Sequence, residues 1–156
     1  MKVSRRKIIQ YASMSGAALA LAPMGAFLPG TLKAEEWNKT AFEKKTLDEA
    51  MKAMGIEKFE ESADVVIDAP EIAENGNVVP LNAESKIAGT TRMSVFVENN
   101  PSPLATNFDF TGSSIPFFGT RIKMSKTSNV YVVAMANGKA YANKQEIKIT
   151  LGGCGG

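Results

Sequence analysis

The sequence predicts a mainly β chain: an immunoglobulin-like antiparallel β-sandwich with a short N-terminal helix and a flexible C-terminal arm. Three observations carry this. About seven short segments read as strands, several of them alternating apolar and polar side chains with a period of two. Turn formers punctuate them at Asn75-Gly76-Asn77, Asn99-Asn100-Pro101-Ser102-Pro103 and Asn137-Gly138. One stretch around residue 50 has helical periodicity instead. The topology rests on strand number alone, because the Cys–Trp–Cys core of antibody domains is missing.

Taken in order, the helix comes first. Thr46-Leu47-Asp48-Glu49 has capping-box spacing, with Thr46 as N-cap and Glu49 reaching back. Leu47, Ala50, Met51 and Met54 then share one face, and Gly55 suits the stop. A further helical turn is expected upstream, at residues 40–45. Strands follow at residues 63–69, around Val65, Val66 and Ile67, and at residues 78–83. In residues 91–98, Met93, Val95 and Val97 face one way and Ser94 and Glu98 the other. Residues 106–111 put Phe108 and Phe110 on one side, and residues 120–126 point Ile122 and Met124 inward. Residues 129–136 are apolar on both faces, as a central strand can be. Asn137-Gly138 is the strongest two-residue hairpin signal in the chain. Residues 139–151 return, with Ile147, Ile149 and Leu151 set against Glu146, Lys148 and Thr150. The faces of residues 129–136 and of Phe117-Phe118 are apolar and could serve as core or as a partner interface; core is the reading preferred for each.

Residues 1–34 read as an address. Arg5 and Arg6 lie in Ser4-Arg5-Arg6-Lys7, ahead of a weakly apolar stretch over residues 11–28. This is the pattern of a twin-arginine signal peptide and implies delivery to the periplasm. Gly16, Pro23, Gly25 and Pro29 interrupt the stretch, which lacks the roughly 20 strongly apolar residues of a membrane span. Cleavage is placed after Ala34. The domain plan is then a signal over residues 1–34, a carrier domain over residues 35–151 and an arm over residues 152–156. Residues 35–156 hold 13 basic and 16 acidic side chains, a formal charge of −3, with no basic stripe for nucleic acid. The chain has no histidine and one cysteine. That excludes Ser-His and Cys-His catalysis within it and leaves no usual ligand set for a transition metal. No resident cofactor is expected. The twin-arginine route moves folded proteins, so a partner exported together with this chain is the natural reason for using it.

The last five residues, Gly152-Gly153-Cys154-Gly155-Gly156, combine one reactive group with four residues that lack a side chain. Glycine's backbone freedom argues for a mobile, exposed segment. Fully extended, five residues reach roughly 15–18 Å, enough to carry Cys154 into a partner's narrow cleft. No cation or helix start adjoins the thiol in sequence, so activation would come from whatever site the arm enters. Residue types alone leave several readings open. Cys154 could be a covalent carrier, the cross-linking group of an exported immunoglobulin-like interaction module joined by an intermolecular disulfide, or an incidental thiol. A thiol oxidoreductase fits less well, because the usual Cys-x-x-Cys pair is absent. Gly155-Gly156 also matches the end of ubiquitin-like sulfur carriers, but their nucleotide-dependent loading suits the cytosol and leaves the cysteine unexplained.

The leader and the Gly-Gly-Cys-Gly-Gly end together resemble the SoxY family, the sulfur-carrier subunits of the SoxYZ complex in bacterial thiosulfate oxidation. Glu71-Ile72-Ala73-Glu74-Asn75-Gly76, Val97-Glu98-Asn99-Asn100-Pro101, Thr120-Arg121-Ile122-Lys123-Met124 and Ile149-Thr150-Leu151 extend the resemblance over essentially all of residues 35–156. It implies an immunoglobulin-like sandwich, a heterodimer with a SoxZ-like subunit, and Cys154 as the point of covalent attachment. It further implies that the haem protein SoxXA joins thiosulfate to Cys154 as an S-thiosulfonate, that SoxB hydrolyses off sulfate, and that SoxCD, where present, oxidises the remaining sulfane. The chain would be no enzyme but the thiol on which other enzymes work.

Overall fold

In the computed structural model, residues 38–112 and 114–151 are described, Leu151 by its backbone alone. The leader with Arg5 and Arg6, and the arm with Gly152, Gly153, Cys154, Gly155 and Gly156, lie outside the described residues. Two short helices open the described chain, α1 (Lys39–Glu43) and α2 (Leu47–Ala53). Nine strands follow: β1 (Glu60–Glu61), β2 (Val65–Asp68), β3 (Ile72–Asn75), β4 (Val79–Ser85), β5 (Thr90–Val97), β6 (Leu104–Asp109), β7 (Phe117–Ile122), β8 (Ser128–Ala136) and β9 (Lys139–Leu151).

An N-cap holds each helix, Thr46 as expected and Asn38 in addition. Thr46 Oγ1 accepts from the Glu49 N–H at 3.3 Å, as an N-cap does. Asn38 caps α1 by accepting from the Ala41 N–H, while its amide donates to the Ala53 carbonyl at 2.9 Å and ties the two helices together. Ala50, Met51 and Met54 are buried, with Leu47 at the margin. Gly55 ends the run at φ 78°, a left-handed conformation that glycine adopts without a Cβ penalty.

The strands form two sheets packed as a sandwich, with order β1-β9-β8-β5-β6 in one and β2-β4-β7 in the other. The main core lies between them and includes Leu81, Met93, Val95, Met124, Val130, Val132 and Ile147. A second cluster lies on the far face of the larger sheet, where Phe96, Leu104, Val133, Ala140 and Ala142 meet Ala41, Ala50, Met51 and Met54 of the helical segment. Strand β8 is therefore apolar on both faces because both faces are covered: Val130, Val132 and Ala134 point to the small sheet and Val133 to the helices. Asn137 and Gly138 both take positive φ, 53° and 76°, as a two-residue type I′ hairpin requires, and set Ala136 opposite Lys139.

Three details differ from the sequence reading. Two additional strands, β1 and β3, pair with β9 in parallel, beside otherwise antiparallel ladders. Strand β7 begins at Phe117 and ends at Ile122, so Met124 is buried from the following loop rather than from a strand. Phe118 is core and stacks on Phe108 at 4.3 Å, but Phe117 is 53% exposed. Adjacent residues of a strand face opposite ways, so the two phenylalanines cannot both be core.

Phe96 is fully buried and joins the helices to the sheet. Phe96→Ala is expected to cost about 3–5 kcal/mol of unfolding free energy, read from urea denaturation at constant slope.

Candidate functional site

The described chain ends at the end of β9, the strand that leads to Cys154. Ile147 and Ile149 pack into the main core while Lys148 and Thr150 face out, so the strand's alternation persists to its last turn. Strand β8 accompanies β9 only as far as the Ser128↔Ile147 pair. Beyond it, β9 is carried by β3, in the pairs Ile72↔Lys148, Ala73↔Ile149 and Asn75↔Leu151. The Lys148 N–H donates to the Glu71 carbonyl at 2.9 Å, and Thr150 Oγ1 donates to the Glu74 carbonyl at 3.1 Å. On the opposite edge, where β8 has ended, Thr127 Oγ1 accepts from the Ile149 N–H at 3.0 Å. The end of β9 is thus held on one edge by β3 as far as Leu151 and on the other by Thr127 as far as Ile149.

Thr127 is itself fixed from below. Asn99 Nδ2 donates to the Thr127 carbonyl at 3.2 Å, and the Asn99 N–H donates to Ser128 Oγ at 2.9 Å. Asn100 Nδ2 donates to the Lys123 carbonyl at 2.7 Å, while its Oδ1 accepts from the Ser125 N–H at 2.9 Å. The Met124 N–H reaches the Gly76 carbonyl at 2.7 Å. Three loops, at residues 75–78, 98–103 and 123–127, are therefore laced together under the end of β9. From its residue types Asn99-Asn100-Pro101 reads as a strand breaker, and it lies in one of the segments that carry the family resemblance. The signal passed over is a pair of asparagines in a loop, whose side chains readily satisfy main-chain groups.

A cavity of about 170 Å³, lined by Phe59, Glu61, Tyr131, Ala142, Asn143 and Lys144, lies elsewhere. Lys144 stands seven residues before Leu151, roughly 23 Å along an extended strand. Three residues from Leu151 to Cys154 span about 10 Å at most. The cavity is out of the cysteine's reach. Among the described residues no group of three or more His, Cys, Asp or Glu could hold a metal ion.

Comparison with known proteins now adds to this geometry. The family model for the sulfur oxidation protein SoxY matches residues 50–154, about two thirds of the chain, from α2 through the cysteine. The chain belongs to the SoxY family. Among solved structures it is similar to the sulfur carrier protein SoxY from Chlorobium limicola f thiosulfatophilum, at 39% identity and a TM-score of 0.60, over 68% of this chain and 97% of that one. A superoxide reductase (neelaredoxin) from Ignicoccus hospitalis matches at 18% identity and a TM-score of 0.49, over 55% of this chain and 79% of that one. Curated protein sequences return no match.

The Thr127 clamp can be tested directly. Thr127→Val removes the acceptor of the Ile149 N–H at little change in volume. Amide exchange at Ile149 is expected to quicken about fivefold, the equivalent of roughly 1 kcal/mol, with Lys148 unchanged.

Proposed function

We propose that this chain is a periplasmic sulfur carrier, which holds thiosulfate-derived intermediates covalently on Cys154 while separate enzymes load, hydrolyse and oxidise them. The observation that carries the reading is that the family match runs to residue 154 and so takes in the cysteine, directly beyond a strand end tied down on both edges. The carrier role named for the Chlorobium relative agrees with it.

The chemistry divides between the thiol and its visitors. Loading joins the Cys154 sulfur to the outer sulfur of thiosulfate as an S-thiosulfonate; one proton is released, and two electrons pass to the haem protein SoxXA. Water then adds at the sulfonate in SoxB, releasing sulfate and a proton and leaving the sulfane sulfur on Cys154 as a persulfide, S–SH. SoxCD, where present, oxidises that sulfane. This chain supplies the nucleophilic sulfur, the glycines that let it enter a cleft, and a fixed root. With no histidine anywhere in the sequence, it has no imidazole base of its own. A SoxZ-like subunit completes a heterodimer, travelling through the twin-arginine route on this chain's leader.

Two measurements bear on this. Intact-mass spectrometry of protein from cells oxidising thiosulfate is expected to show thiosulfonate and sulfane adducts that vanish on reduction and are absent from Cys154→Ser, which also stops thiosulfate oxidation. A Cys154→Ser strain that still oxidises thiosulfate, with only a disulfide dimer in the parent, would sink the carrier reading. Replacing Arg5 and Arg6 by lysine is expected to retain both this chain and its partner in the cytoplasm, as seen by fractionation; export of either at the parental level would remove the twin-arginine assignment.

A further inference from the structure

The edges of this sandwich are treated unequally. Strand β1 is two residues long. Strand β2 is closed off by side chains from β9: Asn143 Nδ2 donates to the Val65 carbonyl at 2.8 Å and Gln145 Nε2 to the Ala69 carbonyl at 2.9 Å. Strand β6 carries Asn107 and Asp109 in polar contacts with Ser94 and Arg92, and its ladder is broken by an irregularity at Val95/Phe96. These are the devices by which proteins blunt an edge.

Strand β7 has none of them. Its six residues pair with β4 in regular register and contain no proline or lysine. The Ser85 N–H donates to the Pro116 carbonyl at 2.9 Å, which sets the phase of the ladder. Residues 118, 120 and 122 then bond to β4, while Gly119 and Arg121 turn their main-chain groups away from it. Beside this open edge, Phe117 is 53% exposed and Ile115 76% exposed. The charge is one-sided too. Residues 110–128 contain Arg121, Lys123 and Lys126 and no Asp or Glu, and none of the three cations has an ion pair among the described residues.

We propose that β7 is the docking edge for the partner subunit of the heterodimer, which adds one extended strand to the β2-β4-β7 sheet. The strand that fits is apolar where it passes Phe117 and Ile115 and acidic beside Arg121. A second copy of this chain does not fit. Two β7 strands paired antiparallel about Gly119 would set Arg121 against Phe117 and supply no carboxylate, and a parallel pair would oppose the arginines. The acidic run Glu57, Glu60, Glu61, Asp64, Asp68, Glu71 and Glu74 of a second copy is spread over β1, β2, β3 and the loops beside them, and using it would give an open, head-to-tail contact. The location also suits the carrier. Strand β7 leads straight into the loop that bonds Gly76 through Met124 and clamps Ile149 through Thr127. A strand laid on β7 would run to the same end of the sandwich as the end of β9, on the opposite side from that strand.

The surface rests on the heterodimer reading above, and one experiment separates the two. The chain and the SoxZ-like subunit of the same organism are purified separately, and their affinity is measured with amide exchange on the complex. Protection is expected at Gly119 and Arg121, and Phe117→Ser and Arg121→Glu should each weaken binding about tenfold or more with unchanged unfolding midpoints, as loss of one anchoring contact does. Lys144→Glu, on the far edge, should bind as the parent does. A tight complex with parental affinity in both variants, or with protection elsewhere, overturns the surface and leaves the heterodimer standing. Failure of the parent chain to bind the subunit at all overturns the heterodimer and this surface with it. Self-association of the parent that Phe117→Ser abolishes overturns the choice of a different chain.

Discussion

Strand β9 is the member against which the rest of the molecule is registered. Over 13 residues it pairs with β8, then β1, then β3, and its side chains cross to β2. Because a strand's faces alternate strictly, one register fixes all of these at once. A slip by one residue would drive Lys144, Glu146 and Lys148 into the main core and bring out Ile147 and Ile149. The Asn137-Gly138 turn sets that register locally, next to the longest ladder in the fold.

The inward face of β9 is not uniformly apolar, and the reason is physical. Asn143 and Gln145 occupy positions that periodicity would assign to core, between Tyr141 and Ile147. They face the edge of β2, where main-chain carbonyls would otherwise be left without donors under partial cover. An amide there costs little because both partners are satisfied. The result is a sandwich whose sheets are joined on one side by side-chain hydrogen bonds and on the other by the Phe108–Phe118 stack across the β6 and β7 edges.

How much of this was legible in the sequence follows from the same rules. The alternating segments were readable because their period encodes burial on a half-covered surface, and Thr46 and Asn137-Gly138 act within a few residues of themselves. Strands β1 and β3 were not readable. Glu60-Glu61 has no apolar residue, and in β3 only Ala73 is buried. They exist because β9 offers them a ladder, which is a property of distant residues. Phe117 and Phe118 were both read as core, although adjacent strand residues face opposite ways and one ring had to turn outward. For the site, the residue types around Cys154 left a carrier, a cross-link and an incidental thiol open until the family resemblance was added, and the lacing of the end of β9 was not readable. Thr127 to Ile149 and Asn99 to Thr127 are side-chain-to-backbone bonds across 22 and 28 residues, and no local pattern announces them.

The parallel pairing of β3 with the end of β9 has a mechanical side. A cleft that grips the last residues pulls on β9 along its own axis. Ladders on such a strand are then loaded in shear, so that the bonds to β3, to Thr127 and further back to β8 bear tension together. A hairpin pulled from its open end would instead unzip one bond at a time. A pull on the end of β9 is therefore resisted by the whole strand.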